Sequence, residues 1–121
     1  MLQHLQHHFD DIDKPAVLLM HGLYSNDLVW FANEPNSSLP FMLAEAGYDV
    51  WLGSSRATHS SEQHLFYTDK DWQYWDYSLE DIGMLDLPAF INFILGHTGK
   101  ESLSYISHSL GGTNILLGAS L

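Results

Sequence analysis

The segment Tyr105-Ile106-Ser107-His108-Ser109-Leu110-Gly111-Gly112 decides the fold. Leu103-Ser104-Tyr105-Ile106 leads in as a strand, and a helical pattern opens after Gly111-Gly112 and runs toward Leu121. Between them lies a small-x-Ser-x-Gly turn. A strand-to-helix turn this sharp is strained, so the positions two before and two after its serine must be small. Such a turn lifts the hydroxyl clear of the sheet at a helix N-terminus, where the dipole and the free N–H groups favour an oxyanion. Ser109 is therefore the candidate nucleophile. Ser107 fills the first small position in place of glycine, and its Cβ crowds the turn without forbidding it. The string without its flanks matches by chance about as often as not, so the strand, the helix and a second site give it weight.

The second site lies upstream. Ala16-Val17-Leu18-Leu19-Met20 is an uninterrupted apolar run of the kind buried on both sheet faces, and it ends in His21-Gly22-Leu23. An oxyanion hole for a serine nucleophile combines two backbone N–H groups. One belongs to the residue after the nucleophile, here Leu110, and the other to the loop after an earlier strand, here Leu23. Backbone groups do this work, so leucine side chains are acceptable at both. His21 shapes that loop, and His108 diverges from its neighbour Ser109 at the turn.

The rest of the chain alternates strand and helix, which implies a parallel sheet. Ser37-Ser38, Pro40 and Gly47 bracket a helix whose Leu39, Met42, Leu43 and Ala46 share one face. Tyr48 to Leu52 reads as a strand closed by Gly53. Thr58 to Tyr77 is irregular and aromatic. A helix begins near Ser78, with Asp81 completing a capping box. Ile82, Leu85 and Ala89 form its inner face, Pro88 kinks or splits it, and Gly96 or Gly99 ends it.

Composition narrows the function. The 121 residues carry a net charge of −11, which repels nucleic acid. There is no cysteine, so disulfides and cysteine metal sites are excluded. No run is long enough to span a bilayer. Met1 to Asp13 holds three histidines and three aspartates and no apolar core, so it is not a signal peptide and reads as a disordered polar tail. His4, His7 and His8 are too loosely spaced for a metal site, and no metal or cofactor is expected. Phe66, Tyr67, Trp72, Tyr74, Trp75 and Tyr77 suit a lipid surface, although packing is the commoner role of such rings. Asn36-Ser37-Ser38 is a glycosylation sequon, relevant in the secretory pathway. Glu80, Asp81 and Asp86 read as a solvated helix face.

From Lys14 to Leu121 the sequence resembles the acid lipase family, which includes gastric and lysosomal acid lipases. Pro15 to Leu23 and Asn36 to Gly53 carry the resemblance, above all Ala46-Gly47-Tyr48-Asp49-Val50-Trp51-Leu52-Gly53 followed by Arg56. Trp75-Asp76-Tyr77-Ser78, Asp86-Leu87-Pro88-Ala89 and the elbow extend it. Ser107 stands where the family usually has glycine, Leu110 where it has glutamine, and Ser54 and Ala57 where asparagine and glycine are common.

The resemblance implies hydrolysis of lipid carboxylic esters such as triacylglycerols or cholesteryl esters, in a secreted or lysosomal setting. It implies Ser109 as nucleophile, with Leu23 and Leu110 as oxyanion donors. The expected architecture is α/β: a partial α/β-hydrolase fold over residues 14–121, a parallel sheet flanked by helices, truncated after the nucleophile elbow. The triad order in this fold is Ser, then Asp or Glu, then His, and the twelve residues after Ser109 contain none of these acids or histidines. The expectation is a lipase fragment that is inactive alone. The alternative is a hydrolase-fold protein that binds lipid without turnover.

Overall fold

The computed structural model describes residues 1–5 and 13–120. Its centre is a four-stranded sheet in the order β1-β3-β2-β4, formed by Leu2–Leu5, Asp49–Gly53, Ala16–Met20 and Ser104–Ser107 respectively. β2 runs parallel to both neighbours, with Met20 level with Gly53 on one side and Ser107 on the other. β1 runs antiparallel to β3, pairing Leu2 with Gly53 and Leu5 with Val50. The sheet is thus mixed, where the alternating pattern implied a parallel one. The expected polar tail over 1–13 also departs at its start, because Leu2–Leu5 completes an edge of the sheet. His4 stacks on Trp51 and is bonded to Asp49, while His7 and His8 lie outside the described residues.

Side chains alternate across a strand, so β2 feeds two cores. Ala16, Leu18 and Met20 pack with Trp51, Leu87 and Ile94 on one face. Val17 and Leu19 pack with Val50, Leu52 and Ala44 on the other. The first face is covered by α3 (Leu87–Thr98) and α4 (Leu110–Ala119), the second by α1 (Leu39–Glu45). Every residue of β2 is buried. Burying each large aliphatic of this strand is worth about 1.5–3 kcal/mol, which fixes the register.

Ser38 caps α1 by position only, since its hydroxyl donates to the Asn33 carbonyl and accepts from no helix N–H. Of the face expected on α1, Leu39 and Leu43 pack inward but Met42 is exposed. The second helix is broken in an instructive way. Ser78 and Asp81 form the expected capping box on the short α2 (Leu79–Asp81). One π-turn (Ile82–Asp86) follows, closed by the Leu87 N–H on the Ile82 carbonyl, and α3 then starts with Pro88 in its first turn. Pro88 has no N–H to give to Met84, so a wide turn before it costs no hydrogen bond. The widening shifts the helical phase: Ile82 is buried but Leu85 and Ala89 face outward, and Leu87 and Ile94 take the core. Gly99, with φ 68, ends α3 in the left-handed conformation. α4 begins at Leu110, three residues before the point the glycine pair suggested.

Candidate active site

Three parallel strands end side by side, and open α/β sheets bind ligands at the carboxyl ends of their strands. β2 runs into His21-Gly22-Leu23, β3 into Ser54-Ser55-Arg56 and β4 into His108-Ser109. The His108 N–H donates to the Met20 carbonyl at 3.0 Å, extending the ladder to the turn itself.

Ser109 sits at the N-cap of α4 with φ 53 and ψ −116, a conformation that disfavours any residue with a Cβ. Its side chain makes no cap bond to the helix, and the residue is exposed. Strain of this kind costs on the order of 1–3 kcal/mol and persists only where the surroundings over-determine it. Those surroundings are visible. A Cβ on Gly111 would lie 2.9 Å from the carbonyl oxygens of both Met20 and His21, so α4 meets the end of β2 backbone to backbone. The Tyr105 hydroxyl donates to the Gly111 carbonyl at 2.8 Å, tying β4 to the first turn of α4, and burial pushes that phenol above its ordinary value. Ser107 is accommodated by facing glycines: a Cβ on Gly111 would lie 3.0 Å from the Ser107 Cβ, and one on Gly112 3.5 Å from its Oγ.

The loop after β2 is pressed against this turn. A Cβ on Gly22 would lie 3.1 Å from the Ser109 Cβ and 3.0 Å from His108 Nδ1. The next residue is Leu23, exposed, and then Tyr24, which holds φ 55. His21 is buried and organises the loop. Its Nδ1 is 2.8 Å from the Gly22 carbonyl, which can only accept, while its Nε2 accepts from the Ser55 N–H at 3.2 Å. The ring is therefore the neutral tautomer protonated at Nδ1. The Gly22 carbonyl and the Leu23 N–H belong to one planar peptide unit, so the His21 bond sets the direction of that N–H.

Arg56 closes the loop after β3. Its backbone N–H donates to Asp86 Oδ2 at 3.0 Å, and its guanidinium donates from Nε and Nη2 to the same carboxylate, the shortest contact being 2.6 Å. This fork holds the guanidinium above its ordinary value, against the opposing effect of burial. The guanidinium also lies 5.8 Å from the Tyr77 ring centre. Asp86 is thus a half-buried ion-pair partner and not part of a solvated face. The solvated reading fails because the π-turn rotates Asp86 toward β3.

Leu23 and Leu110 line one cleft of about 680 Å³ together with Leu28, Val29, Trp75 and Leu79. The aromatic excursion beside it departs from the packed role. Tyr74 is buried, but Phe66, at 82% exposure, and Trp72, at 70%, point outward. Polar turns hold the backbone there: His64 Nδ1 accepts from the Phe66 and Tyr67 N–H groups, and Asp71 accepts from Thr68. Among the described residues no cluster of three or more histidines and carboxylates forms, and no helix is long and apolar enough to cross a membrane.

The structure therefore brings Ser109 and Leu110 to one turn and sets Leu23 in the loop packed against it. Ser55 and Tyr105 were not singled out from the sequence. The signal for Ser55 was its place just past the end of β3, level with the other two strand ends.

A serine on a strained strand-to-helix turn, beside a loop from the neighbouring parallel strand, defines a hydrolase-type domain. Residues 15–121 match the alpha/beta hydrolase fold family, and the chain belongs to it. It is 50% identical over 100 residues to lipase member K of Homo sapiens, covering 83% of this chain and 25% of that protein. It is 44% identical over 113 residues to gastric triacylglycerol lipase of Rattus norvegicus, covering 93% and 29%. It is 47% identical over 100 residues to a putative lysosomal acid lipase/cholesteryl ester hydrolase of Crotalus adamanteus, covering 83% and 25%. The chain spans about a quarter of the length of these relatives. The resemblance to gastric and lysosomal acid lipases holds over most of the chain.

Proposed function

We propose that this chain carries the nucleophile and oxyanion half of a serine hydrolase acting on lipid esters. The observation that supports it best is the exposed Ser109, held at positive φ against Gly22 and beside an apolar cleft. In this reading the Ser109 hydroxyl attacks the ester carbonyl. The Leu110 and Leu23 N–H groups receive the negative oxygen of the tetrahedral intermediate. Each such donor is worth about 10²–10³-fold in rate. The alcohol then leaves with a proton, and water releases the acyl group from Ser109. The apolar walls Leu28, Val29 and Leu79 suit a hydrocarbon chain. Triacylglycerols and cholesteryl esters are the substrate classes that the relatives' names suggest, and the same names suggest a secreted or lysosomal setting.

A serine hydroxyl needs a base to take its proton. The triad order puts that histidine and its carboxylate after the nucleophile, and residues 110–121 contain neither. Turnover in this reading requires residues outside this sequence, and the 121-residue chain alone does not hydrolyse ester. The exposed rings of Phe66 and Trp72 supply contact with a lipid surface.

The test is ester hydrolysis by the native protein carrying this sequence. Ser109→Ala is expected to lower turnover by about 10⁴-fold or more. Unchanged turnover ends the nucleophile assignment. Ser109-dependent turnover by the 121-residue chain alone overturns the requirement for further residues. Lipid binding with no turnover in any form of the protein favours the non-catalytic alternative.

A further inference from the structure

The oxyanion donor on the loop after β2 is not held by that loop alone. The Leu23 N–H direction is set by the His21 bond to the Gly22 carbonyl. His21 is in turn held by the Ser55 N–H on its Nε2. Ser55 is bonded through its carbonyl carbon to the Arg56 nitrogen, whose N–H donates to Asp86 Oδ2. The Arg56 guanidinium grips the same carboxylate with a fork. The peptide plane between Ser55 and Arg56 is thereby fixed at its far end by Asp86.

Asp86 closes the π-turn, and that turn also touches the other half of the site. A Cβ on Gly83 would lie 2.8 Å from the Asn114 carbonyl of α4, and a Cβ on Gly118 would lie 2.7 Å from the Gly83 carbonyl. The π-turn therefore packs backbone to backbone on the helix that begins at Leu110. One irregular turn contacts α4 through Gly83 and bonds the loop after β3 through Asp86. π-turns inside helices recur at functional sites.

We infer that Asp86 is a positioning residue for the oxyanion site, acting through Arg56, Ser55 and His21 on the Gly22–Leu23 peptide, with the π-turn keeping this chain in step with α4. The inference rests on the hydrolase reading for its purpose, but the relay itself is a matter of geometry and is testable without turnover. Arg56 alone cannot replace Asp86, because both its main chain and its side chain need the same acceptor. Substrate need never touch Asp86.

The experiment uses the isotopically labelled native protein that carries this sequence. The His21 ring nitrogens are expected to show the neutral Nδ1-protonated form, and the Leu23 amide an order parameter near 0.85, typical of rigid backbone. Asp86→Asn should mix the His21 tautomers, drop the Leu23 order parameter below about 0.6, and speed Ser55 amide exchange by about tenfold or more. Exchange in β2 and α1 should stay the same. Asp86→Glu, which keeps the charged acceptor, should restore part of the His21 signature. Asp86→Asn leaving His21 and Leu23 unchanged overturns the inference. A uniform rise in exchange that includes β2 also overturns it, because Asp86 would then serve the fold at large. In the native protein Asp86→Asn should lower kcat with little change in KM. A full effect of Ser109→Ala alongside no effect of Asp86→Asn would sink the positioning role and leave the hydrolase reading intact. Turnover surviving Ser109→Ala would do the reverse.

Discussion

The strand-end frame and the excursion from Thr58 to Asp86 flank the same cleft but are built by different means. In the frame, β2, β3 and β4 end in register, and backbone meets backbone at Gly22 and Gly111. In the excursion, short polar turns fix the chain while Phe66 and Trp72 stay in solvent. The frame is held by burial and by close contacts that tolerate no added atom. The excursion is held by local hydrogen bonds and anchored to the loop after β3 by the Arg56–Asp86 ion pair. A nucleophile needs the first kind of support, because a strained serine survives only in surroundings that cannot relax. A surface that meets many lipids can do with the second.

Substitutions can break that contrast. The largest effect belongs to the frame. Leu18→Ala removes a fully buried side chain and should cost about 2–5 kcal/mol, and Gly111→Val should cost at least as much, since its Cβ would strike two carbonyl oxygens. Denaturant midpoints at constant slope measure both. Midpoints close to wild type would mean the frame is not the rigid part. Next comes the seam between the regions. Gly83→Val pushes the π-turn off α4 and should cost about 1–3 kcal/mol, with the perturbation in amide spectra centred on α4 and on residues 54–56.

Smaller effects sharpen the view of the excursion. Ser78→Ala removes the cap of α2 and should cost about 1 kcal/mol. The Ser78 N–H and hydroxyl hold the Asp81 carboxylate below the usual carboxylate range. A depressed folded value means the contribution is complete above the ordinary carboxylate range and is lost as pH falls through the folded value. The stability gap between wild type and Ser78→Ala should therefore narrow in acid, and a gap that widens would contradict the capping box. Smallest is Trp72→Ser, which should change stability by less than about 0.5 kcal/mol. It should nevertheless weaken binding to phosphatidylcholine vesicles. In the native protein it should spare hydrolysis of a dissolved short-chain ester. Equal loss on vesicles and on dissolved ester would remove the lipid-contact role.

The frame was legible in the sequence because its signals are local. Five apolar residues in a row, ended by His21-Gly22, read as an interior strand, and a small-x-Ser-x-Gly turn between strand and helix presents its serine by geometry. The edge strand at Leu2–Leu5 was not legible, since a short run containing Gln3 and His4 becomes a strand only by pairing with β3 and stacking on Trp51. The inner face of the second helix was misplaced because a π-turn is set by Pro88 and by the close approach of α4, and helical periodicity carries no trace of it.

The sequence by itself determined the class of fold, the nucleophile candidate and the loop facing it, because these depend on residue size and polarity over a few consecutive positions. The tertiary structure alone decided which partners hold that loop. The His21–Ser55 and Arg56–Asp86 bonds join residues 34 and 30 positions apart. No local pattern encodes such pairs, because they exist only once parallel strands bring their ends together and a helix turn is widened to meet them.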